Sequence, residues 1–168
     1  MKFKIRKFRK GDEESLRKNI NDKEIYKNTL TVPHPYKKKD AKNWVKHNIK
    51  LDKIKNPNEI NFVVDINGQV AGSIGFIKID RKNNNAEVSY WLAKRYWNKG
   101  IMTNAVKKAV RFGFEKLKLV RVYAFTFVFN RASQKVLKKA GFQFEGKLIK
   151  NVKKKGKYYD DLLFAKIK

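Results

Sequence analysis

The stretch Arg95-Tyr96-Trp97-Asn98-Lys99-Gly100-Ile101-Met102-Thr103 decides the fold of this chain, because it joins a strand pattern to a helix pattern. Residues 86–92 alternate apolar side chains with others, and residues 101–117 repeat apolar side chains at helical spacing. A helix N-terminus exposes unpaired N–H groups and the positive end of the helix dipole. The junction therefore favours an anion site, and a pyrophosphate is its natural guest.

This loop matches neither common nucleotide motif, since GxxxxGK[ST] and GxGxxG are both absent. Gly100 leaves room for a phosphate beside the backbone, Arg95 and Lys99 add charge, and Thr103 adds a hydroxyl. On spacing alone, a helix begun by a turn glycine is the simpler interpretation. Both interpretations stay open at this point.

Upstream of the loop, three alternating segments predict an antiparallel meander. Residues 60–66 and 70–76 flank Asn67-Gly68, which is the strongest short signal for a hairpin. The polar stretch 82–85 then separates the second segment from residues 86–92.

The N-terminal part predicts one strand and several short helices. Residues 3–8 form a strand-like run, after which Asp12 or Ser15 is expected to cap a short helix. Residues 20–30 are weakly helical, and Asp40 is expected to cap a further helix.

Downstream of the long helix, the pattern returns to strands. Residues 120–127 read as a strand, Asn130 caps a shorter helix, and Gly141 ends that helix. Two last strands are expected at 142–149 and 158–167. With 168 residues, no internal repeat and no linker, the chain is predicted to be one α+β domain around a mixed sheet.

Charge is the extreme feature of the composition, with 42 Lys+Arg against 15 Asp+Glu and a net charge of +27. Such a field attracts polyanions and acidic protein surfaces. The basic residues are mostly lysines spread along the chain, whereas base reading relies on Arg, so specific nucleic-acid binding is not expected. The runs Lys37–Lys39 and Lys153–Lys155 are expected to be solvated turn residues.

Other classes are excluded by what the sequence lacks. There is no Cys, so disulfides, thiolate metal sites and Cys nucleophiles are ruled out. The two histidines, His34 and His47, fit no common metal spacing, and no metal is predicted. No apolar run approaches the ~20 residues of a membrane-spanning helix, and the start does not resemble a signal peptide. We therefore expect a soluble, cytoplasmic protein with no membrane partner.

Residues 60–165 resemble the GNAT superfamily of acyl-CoA-dependent N-acyltransferases, most closely its RimJ/RimL-like branch. The resemblance implies a single domain with a central, mostly antiparallel sheet of about seven strands, a V-shaped splay between strands 4 and 5, and about four flanking helices. It divides the domain into an acceptor-side part (1–58), a meander with cofactor loop and helix (59–117), and a C-terminal half (118–168). The segments that carry it are Gly72–Phe76, Ala86–Ala93, Tyr96–Thr103, Asn130–Ser133, Lys139–Phe142, Glu145-Gly146 and Gly156–Asp160.

The resemblance implies acetyl-CoA as cosubstrate. The cofactor loop of the superfamily, Gln/Arg-x-x-Gly-x-Gly/Ala, maps to Arg95, Asn98 and Gly100, so Asn98 replaces the first glycine. Asn tolerates left-handed backbone better than most residues, which lets the loop form. The cofactor-binding residues implied are Leu92, Ala93, Lys94, Arg95, Asn98, Lys99, Gly100, Ile101, Met102, Thr103, Asn130 and Ser133.

The resemblance also implies catalytic roles. Glu87 is the candidate base, acting directly or through a water, and the Leu92 backbone N–H would polarise the thioester carbonyl. Ser133 would protonate the leaving thiolate, with Tyr158 and Tyr159 as less favoured candidates. The simpler interpretations are that Glu87 pairs with a neighbouring cation and that Ser133 satisfies backbone groups. Some relatives place a carboxylate further along, on the sixth strand, but residues 147–157 contain no acid here.

The acceptor side is less determined, and His34, Tyr36, Trp44 and Tyr90 are its candidates. The expected reaction is acetyl transfer to a primary amine, specifically a protein amino terminus, with an acidic or ribosome-associated protein as partner. A small-molecule amine or an antibiotic is the alternative acceptor. A non-catalytic module that binds acyl-CoA, the ribosome or RNA is the alternative of another class. The chain is expected to be a monomer or a homodimer.

Overall fold

The computed structural model describes residues 2–168 and shows seven strands in one sheet. The strand order is β1-β2-β3-β4-β5-β7-β6, with β4 and β5 parallel and the other neighbours antiparallel. The strands are β1 Lys4–Arg6, β2 Ile60–Ile66, β3 Gln69–Asp80, β4 Asn85–Leu92, β5 Arg121–Phe127, β6 Gln143–Lys154 and β7 Lys157–Ile167. The helices are α1 Glu13–Ile20, α2 Lys23–Asn28, α3 Lys38–Leu51, α4 Ile101–Glu115 and α5 Arg131–Lys139.

The predicted meander is confirmed. Asn67 and Gly68 both have positive φ, 53° and 79°, as a tight hairpin between β2 and β3 requires. β3 and β4 lie so close at Gly72 that a Cβ there would stand 2.4 Å from the Trp91 carbonyl oxygen. Only glycine therefore fits this point of the sheet.

The helices cover the sheet on both faces, each over its own apolar cluster. On one face α1 and α3 pack on β2 and β3 through a cluster that includes Phe8, Leu16 and Val45. On the other face α4 and α5 cover a larger cluster that includes Phe76 and Val106. Residues with alternating period on the strands supply both clusters, which is why β3 is buried along most of its length.

Of the predicted helix caps, Asp40 caps α3 from its third position, and Asp12 holds the N-cap position of α1 without a side-chain cap bond. The Asp12 carboxylate does not cap α1, because it pairs with the Arg6 guanidinium at 2.8 Å and accepts the Arg9 N–H. Ser15 donates its hydroxyl to the Asp12 carbonyl instead. Asp40 lies inside the first turn of α3, where its carboxylate accepts the Lys37 N–H at 2.7 Å. The Asp12 carboxylate is thus taken by Arg6, whereas the Asp40 contact with Lys37 is the local one of a capping box.

The C-terminal hairpin is longer than predicted, and α2 gives a fifth helix. β6 runs on to Lys154, and a turn with positive φ at Lys155 and Gly156 joins it to β7. Lys154 is not a solvated turn residue, because its ammonium donates to the backbone carbonyls of Tyr26 and Thr29. The hairpin therefore holds the C-terminal end of α2. Within residues 2–168, no helix combines the length and hydropathy needed to cross a membrane.

Candidate active site

A gap opens between β4 and β5, as the splay predicted between strands 4 and 5 requires. The two strands pair only at Asn85–Arg121, Ala86–Val122 and Glu87–Tyr123. Beyond these pairs β4 continues to Leu92 beside β3, whereas β5 continues to Phe127 beside β7. The edge of β4 that faces β5 is therefore left without a strand partner after Glu87. We call it the open edge of β4, and the edge that faces β3 the paired edge.

Backbone groups at Leu92 point into this gap. Ala93 donates its N–H to the Ala71 carbonyl at 2.8 Å, on the paired edge. Neighbouring residues of an antiparallel strand direct their peptide groups to opposite sides, so those of Leu92 face the open edge. The Trp97 indole donates to the Leu92 carbonyl at 2.7 Å. The Leu92 N–H is consequently the group presented to a ligand here.

The loop after β4 ends at a bare helix N-terminus. Asn98 (φ 60°) and Gly100 (φ 72°) adopt the left-handed conformation, and a Cβ at Gly100 would meet no atom within 4 Å. α4 has no side-chain cap, and its first bond runs from the Asn104 N–H to the Gly100 carbonyl at 3.1 Å. The amides of Ile101–Thr103 thus have no intrahelical acceptor. This geometry suits a phosphate.

Positive charge surrounds this helix end. Lys94, Arg95 and Lys99 are all exposed, and residues 92–103 contain no carboxylate. The Arg95 guanidinium and the Lys99 ammonium lie 5.0 and 5.8 Å from the centre of the Tyr96 ring. The ring holds both cations at the loop, and their charge reinforces the helix dipole.

Across the gap, α5 begins at a hydrogen-bonded cap. The Asn130 side-chain oxygen accepts the Ser133 N–H at 3.1 Å, which confirms the predicted cap. The amide nitrogen of Asn130 donates to the Asn28 carbonyl at 3.3 Å and so ties α5 to the C-terminal end of α2. Asn130 thus borders the gap with both ends of its amide engaged within the protein.

A hydrogen bond joins the two sides of the gap. The hydroxyl of Tyr90, on β4, lies 2.8 Å from the Ser133 hydroxyl of α5. Burial raises the pKa of Tyr90, and the hydrogen bond to Ser133 lowers it by less. Tyr90 therefore stays protonated at neutral pH, and the Tyr90–Ser133 pair can deliver a proton. The prediction from sequence gave Tyr90 only a role on the acceptor side, not one in proton transfer.

Glu87 has a cationic neighbour. Its carboxylate accepts a hydrogen bond from the Lys78 ammonium at 2.8 Å, and its side chain is 13% exposed. The same contact raises the pKa of Lys78. Pairing with a neighbouring lysine was the simpler interpretation of Glu87, and that pairing is present, at the point where β4 and β5 separate.

A second carboxylate shares the sheet face of Glu87, and the sequence reasoning missed it. Paired residues of neighbouring strands project to the same face, so Glu87, Tyr123, Phe125, Phe127 and Asp161 lie together. We call these five side chains the gap floor. Asp161 is only 4% exposed. The signal available in the sequence was a carboxylate that shares one face of the last strand with Leu163 and Ala165.

The environment of Asp161 opposes its ionisation. Burial raises the pKa of its carboxyl group, the hydrogen bond from Asn151 lowers it, and the negative charge of Glu87 raises it further. The Asn151 contact is long, at 3.3 Å. A carboxyl group in this state binds a cation or a proton more readily than an exposed one does.

Thr126 is a second residue that the sequence reasoning missed. It lies on β5 beyond the pairs with β4, on the opposite face from Phe125 and Phe127, and is 5% exposed. Its hydroxyl has no hydrogen-bond partner in the structure. Buried hydroxyls are normally bonded, so this one is available to a ligand.

The predicted acceptor residues do not form one cluster. Tyr36 is 6% exposed in the apolar cluster under α1 and α3, and burial raises its pKa to about 12. Trp44 packs on Phe8 and His47 at the edge of that cluster. His34 instead lies against Tyr26, 5.7 Å between ring centres, with its Nδ1 buried and without a partner.

The two remaining candidates differ in burial. Tyr158 is 54% exposed, whereas Tyr159 packs its ring against Phe127 and Phe129 at 5.5 and 5.9 Å. Tyr159 therefore belongs to the wall beside the gap floor. Over the part of the chain that the structure describes, no group of His, Asp and Glu side chains could hold a metal ion.

Comparison with known proteins gives a consistent family match. Residues 2–143 match the model of the acetyltransferase (GNAT) domain. The chain is 36% identical over 111 residues to p20 of Bacillus licheniformis, an uncharacterized N-acetyltransferase, covering 66% of this chain and 62% of that protein. It is 35% identical over 101 residues, or 60% of this chain, to YdaF of Bacillus subtilis (strain 168), whose name assigns it provisionally to ribosomal N-acetylation. These matches span little more than half of each relative, 62% and 55%.

Solved structures extend the likeness to the whole fold. The microcin C7 self-immunity acetyltransferase MccE, crystallised with acetyl-CoA and AMP, superimposes with a TM-score of 0.82 at 25% identity. The superposition covers 92% of this chain and 86% of that one.

Proposed function

Because the chain belongs to the acetyltransferase (GNAT) domain family, we propose that it is an N-acetyltransferase that moves an acetyl group from acetyl-CoA to a primary amine. One observation carries the proposal. The pairing of β4 with β5 ends at Glu87 and Tyr123, which leaves a gap beside the uncapped N-terminus of α4. A thread with hydrogen-bonding amides fits the gap, and a pyrophosphate fits the helix end.

The residues of the loop suit the phosphates of acetyl-CoA. The free amides of Ile101–Thr103 and the left-handed Gly100 would receive the pyrophosphate, and Arg95 and Lys99 would balance its charge. The open edge from Leu92 to Lys94 would pair with the pantetheine arm as a strand does. Asn130 and Ser133 would border that arm on the α5 side.

Different groups around the gap would polarise the thioester, accept a proton and donate a proton. Acetyl-CoA supplies an acetyl thioester. The Leu92 N–H would polarise the carbonyl oxygen, as an oxyanion-type donor does. Glu87 would accept the proton that the attacking amine loses, while the carbon–nitrogen bond forms and the carbon–sulfur bond breaks. The thiolate would take its proton from the Tyr90–Ser133 pair, whose hydroxyls are 2.8 Å apart.

We propose a protein amino terminus as the acceptor, presented by an acidic or ribosome-associated protein. The net charge of +27 supports this choice, because the field draws in anionic surfaces and repels polycationic small amines. The provisional ribosomal assignment of YdaF supports it as well. The alternative is a small amine or an antibiotic, in line with the self-immunity function of MccE.

The activity is tested by thiol release. The protein is incubated with acetyl-CoA and either ribosomal proteins or small amines, free thiol is measured, and the acceptors are weighed by mass spectrometry. The expected result is thiol release with a 42 Da gain at an amino terminus, that is, one acetyl group in place of one hydrogen. Binding of acetyl-CoA with no thiol release and no acceptor would identify a non-catalytic module instead.

Variants separate catalysis from cofactor binding. Glu87→Gln and Ser133→Ala should lower turnover while leaving acetyl-CoA affinity within about twofold, since neither side chain lies at the phosphate loop. The proposed acidic partner is tested by salt: acetylation of the protein acceptor should slow as ionic strength rises. A rate independent of salt would contradict that partner.

A further inference from the structure

Among the described residues 2–168 three aspartates are buried, and two of them share one cation. Asp12 and Asp65 are 3% and 7% exposed. The Arg6 guanidinium lies 2.8 Å from Asp12 and 2.5 Å from Asp65, between the two carboxylates. This triad follows the general rule that buried charges are paired.

The third buried aspartate, Asp161, departs from that rule. It is 4% exposed and has one hydrogen-bond partner, the neutral Asn151 amide at 3.3 Å. Among residues 2–168 it forms no ion pair with any lysine, arginine or histidine. The chain has 42 basic residues against 15 acidic ones, so the lack of a cation beside Asp161 does not reflect a shortage of basic side chains.

A basic side chain lies beside Phe127, yet it is bound elsewhere. The Lys154 ammonium lies 5.9 Å from the centre of the Phe127 ring, and Phe127 is the cross-strand partner of Asp161. That ammonium donates to the carbonyls of Tyr26 and Thr29. Lys154 therefore borders this region without neutralising it.

The position of Asp161 connects it to the gap. Its partner Phe127 is on β5, the strand that borders the gap, and Glu87 lies on the same face where the gap begins. The register of β6 with β7 jumps between Leu148 and Val152, and Asn151, the partner of Asp161, lies in that jump. Asp161 thus belongs to the gap floor and has capacity for a further donor.

We infer that Asp161 receives the ammonium group of the acceptor amine at the gap floor, as a binding and specificity residue distinct from the proposed base Glu87. The inference rests on the proposed function and deepens it, because it names the group that recognises the acceptor. An ammonium brings both the positive charge and the N–H donors that the buried carboxylate lacks. The long-range field still selects against polycations, whereas this one carboxylate recognises a single amine.

The test uses the complex with coenzyme A and a minimal ammonium probe. Propylammonium chloride is titrated into the complex and followed by NMR chemical shifts, with propanol as the neutral probe and NaCl matching the ionic strength. We expect propylammonium to bind more tightly than propanol. Asp161→Asn should weaken propylammonium affinity at least about tenfold and leave propanol binding unchanged.

A matched control and a stability readout complete the test. Asp160→Asn alters the next residue, which faces Lys147 and the Lys150 N–H, and should leave propylammonium binding unchanged. Because burial raises the pKa of Asp161, the ionised carboxylate destabilises the fold above its pKa, so Asp161→Asn should raise Tm by about 3 °C at neutral pH. A carboxylate with a purely structural role would show the opposite sign.

The outcomes separate the two proposals. Equal propylammonium affinity in the wild type and Asp161→Asn, or no preference for propylammonium over propanol, overturns the role of Asp161 while the proposed function stands. Failure of coenzyme A itself to bind overturns both. A loss of ammonium binding together with a fall in Tm would assign Asp161 to folding and would also overturn the inference.

Discussion

The two edges of β4 differ in how completely their hydrogen-bonding groups are used. On the paired edge, β3 and β4 pair continuously from Gly72–Leu92 to Ile77–Glu87. On the open edge, β4 and β5 pair over three residues and then separate. One strand therefore serves as ordinary sheet on one side and as a ligand-binding edge on the other.

Buried charges differ in the same way between the two halves of the sheet. Arg6, on β1, pairs with Asp65 on β2 and with Asp12 just before α1. These ion pairs connect the three elements in the N-terminal half. Asp161, on the gap floor, pairs with no cation among the described residues 2–168. The buried aspartates that join elements of the fold are therefore paired with a cation, whereas the one beside the gap has capacity for a ligand.

The largest expected effect tests the paired edge. Gly72→Ala should lower the free energy of unfolding by about 3 kcal/mol, because its Cβ would stand 2.4 Å from the Trp91 carbonyl oxygen. Urea unfolding measures it. Gly146→Ala is the matched control: it also adds one methyl group to a strand, but nothing lies within 4 Å, so stability should change little. Equal midpoints for the two variants would show that β3 and β4 are less tightly joined than described.

The next effect tests the open edge through its proton donor. Tyr90→Phe should lower kcat about a hundredfold, equivalent to about 2.7 kcal/mol, because it removes the hydroxyl bonded to Ser133. Steady-state thiol release measures it, with acetyl-CoA affinity as the unchanged control. A kcat near the wild-type value would remove the Tyr90–Ser133 pair from the mechanism.

A smaller effect sharpens the contrast between the buried acids. Asp65→Asn should lower the free energy of unfolding by about 2 kcal/mol, since Arg6 loses one of its two carboxylates at a partly exposed position. Thermal unfolding compares it with Asp161→Asn, for which the opposite sign is expected. Destabilisation by both variants would abolish the distinction between the two halves.

The smallest effect concerns the Trp97 indole, which donates a hydrogen bond to the Leu92 carbonyl. Trp97→Phe leaves that carbonyl without its donor at 2.7 Å and should weaken acetyl-CoA binding about fivefold, or about 1 kcal/mol. Calorimetry measures it. Unchanged affinity would mean that Trp97 does not orient this end of the open edge.

Local sequence patterns predicted most of the fold, because alternation and turn chemistry act between near neighbours. Asn67-Gly68 fixed the hairpin, Asn130 the cap of α5, and the glycine loop the start of α4. Asp40 caps α3 from the third helical position, a local contact, whereas the Asp12 carboxylate gives no cap bond to α1 because it pairs with Arg6.

The candidate site was predictable only on its cofactor side, where the loop is contiguous in sequence. Asp161 and Thr126 were missed because their significance depends on strand pairing across the gap. The register of β6 with β7, including the jump that holds Asn151, sets the surroundings of Asp161, and no local pattern encodes it.

Backbone amide hydrogen exchange, measured by NMR with and without coenzyme A, tests the central claim most directly. The account predicts that saturating coenzyme A slows exchange at Leu92 and at Ile101–Thr103 at least about tenfold. Ala93, whose N–H already binds the Ala71 carbonyl at 2.8 Å, should not change. Binding of coenzyme A that leaves the Leu92 and Ile101–Thr103 amides unprotected, or no binding at all, would contradict the open edge of β4 as the ligand site.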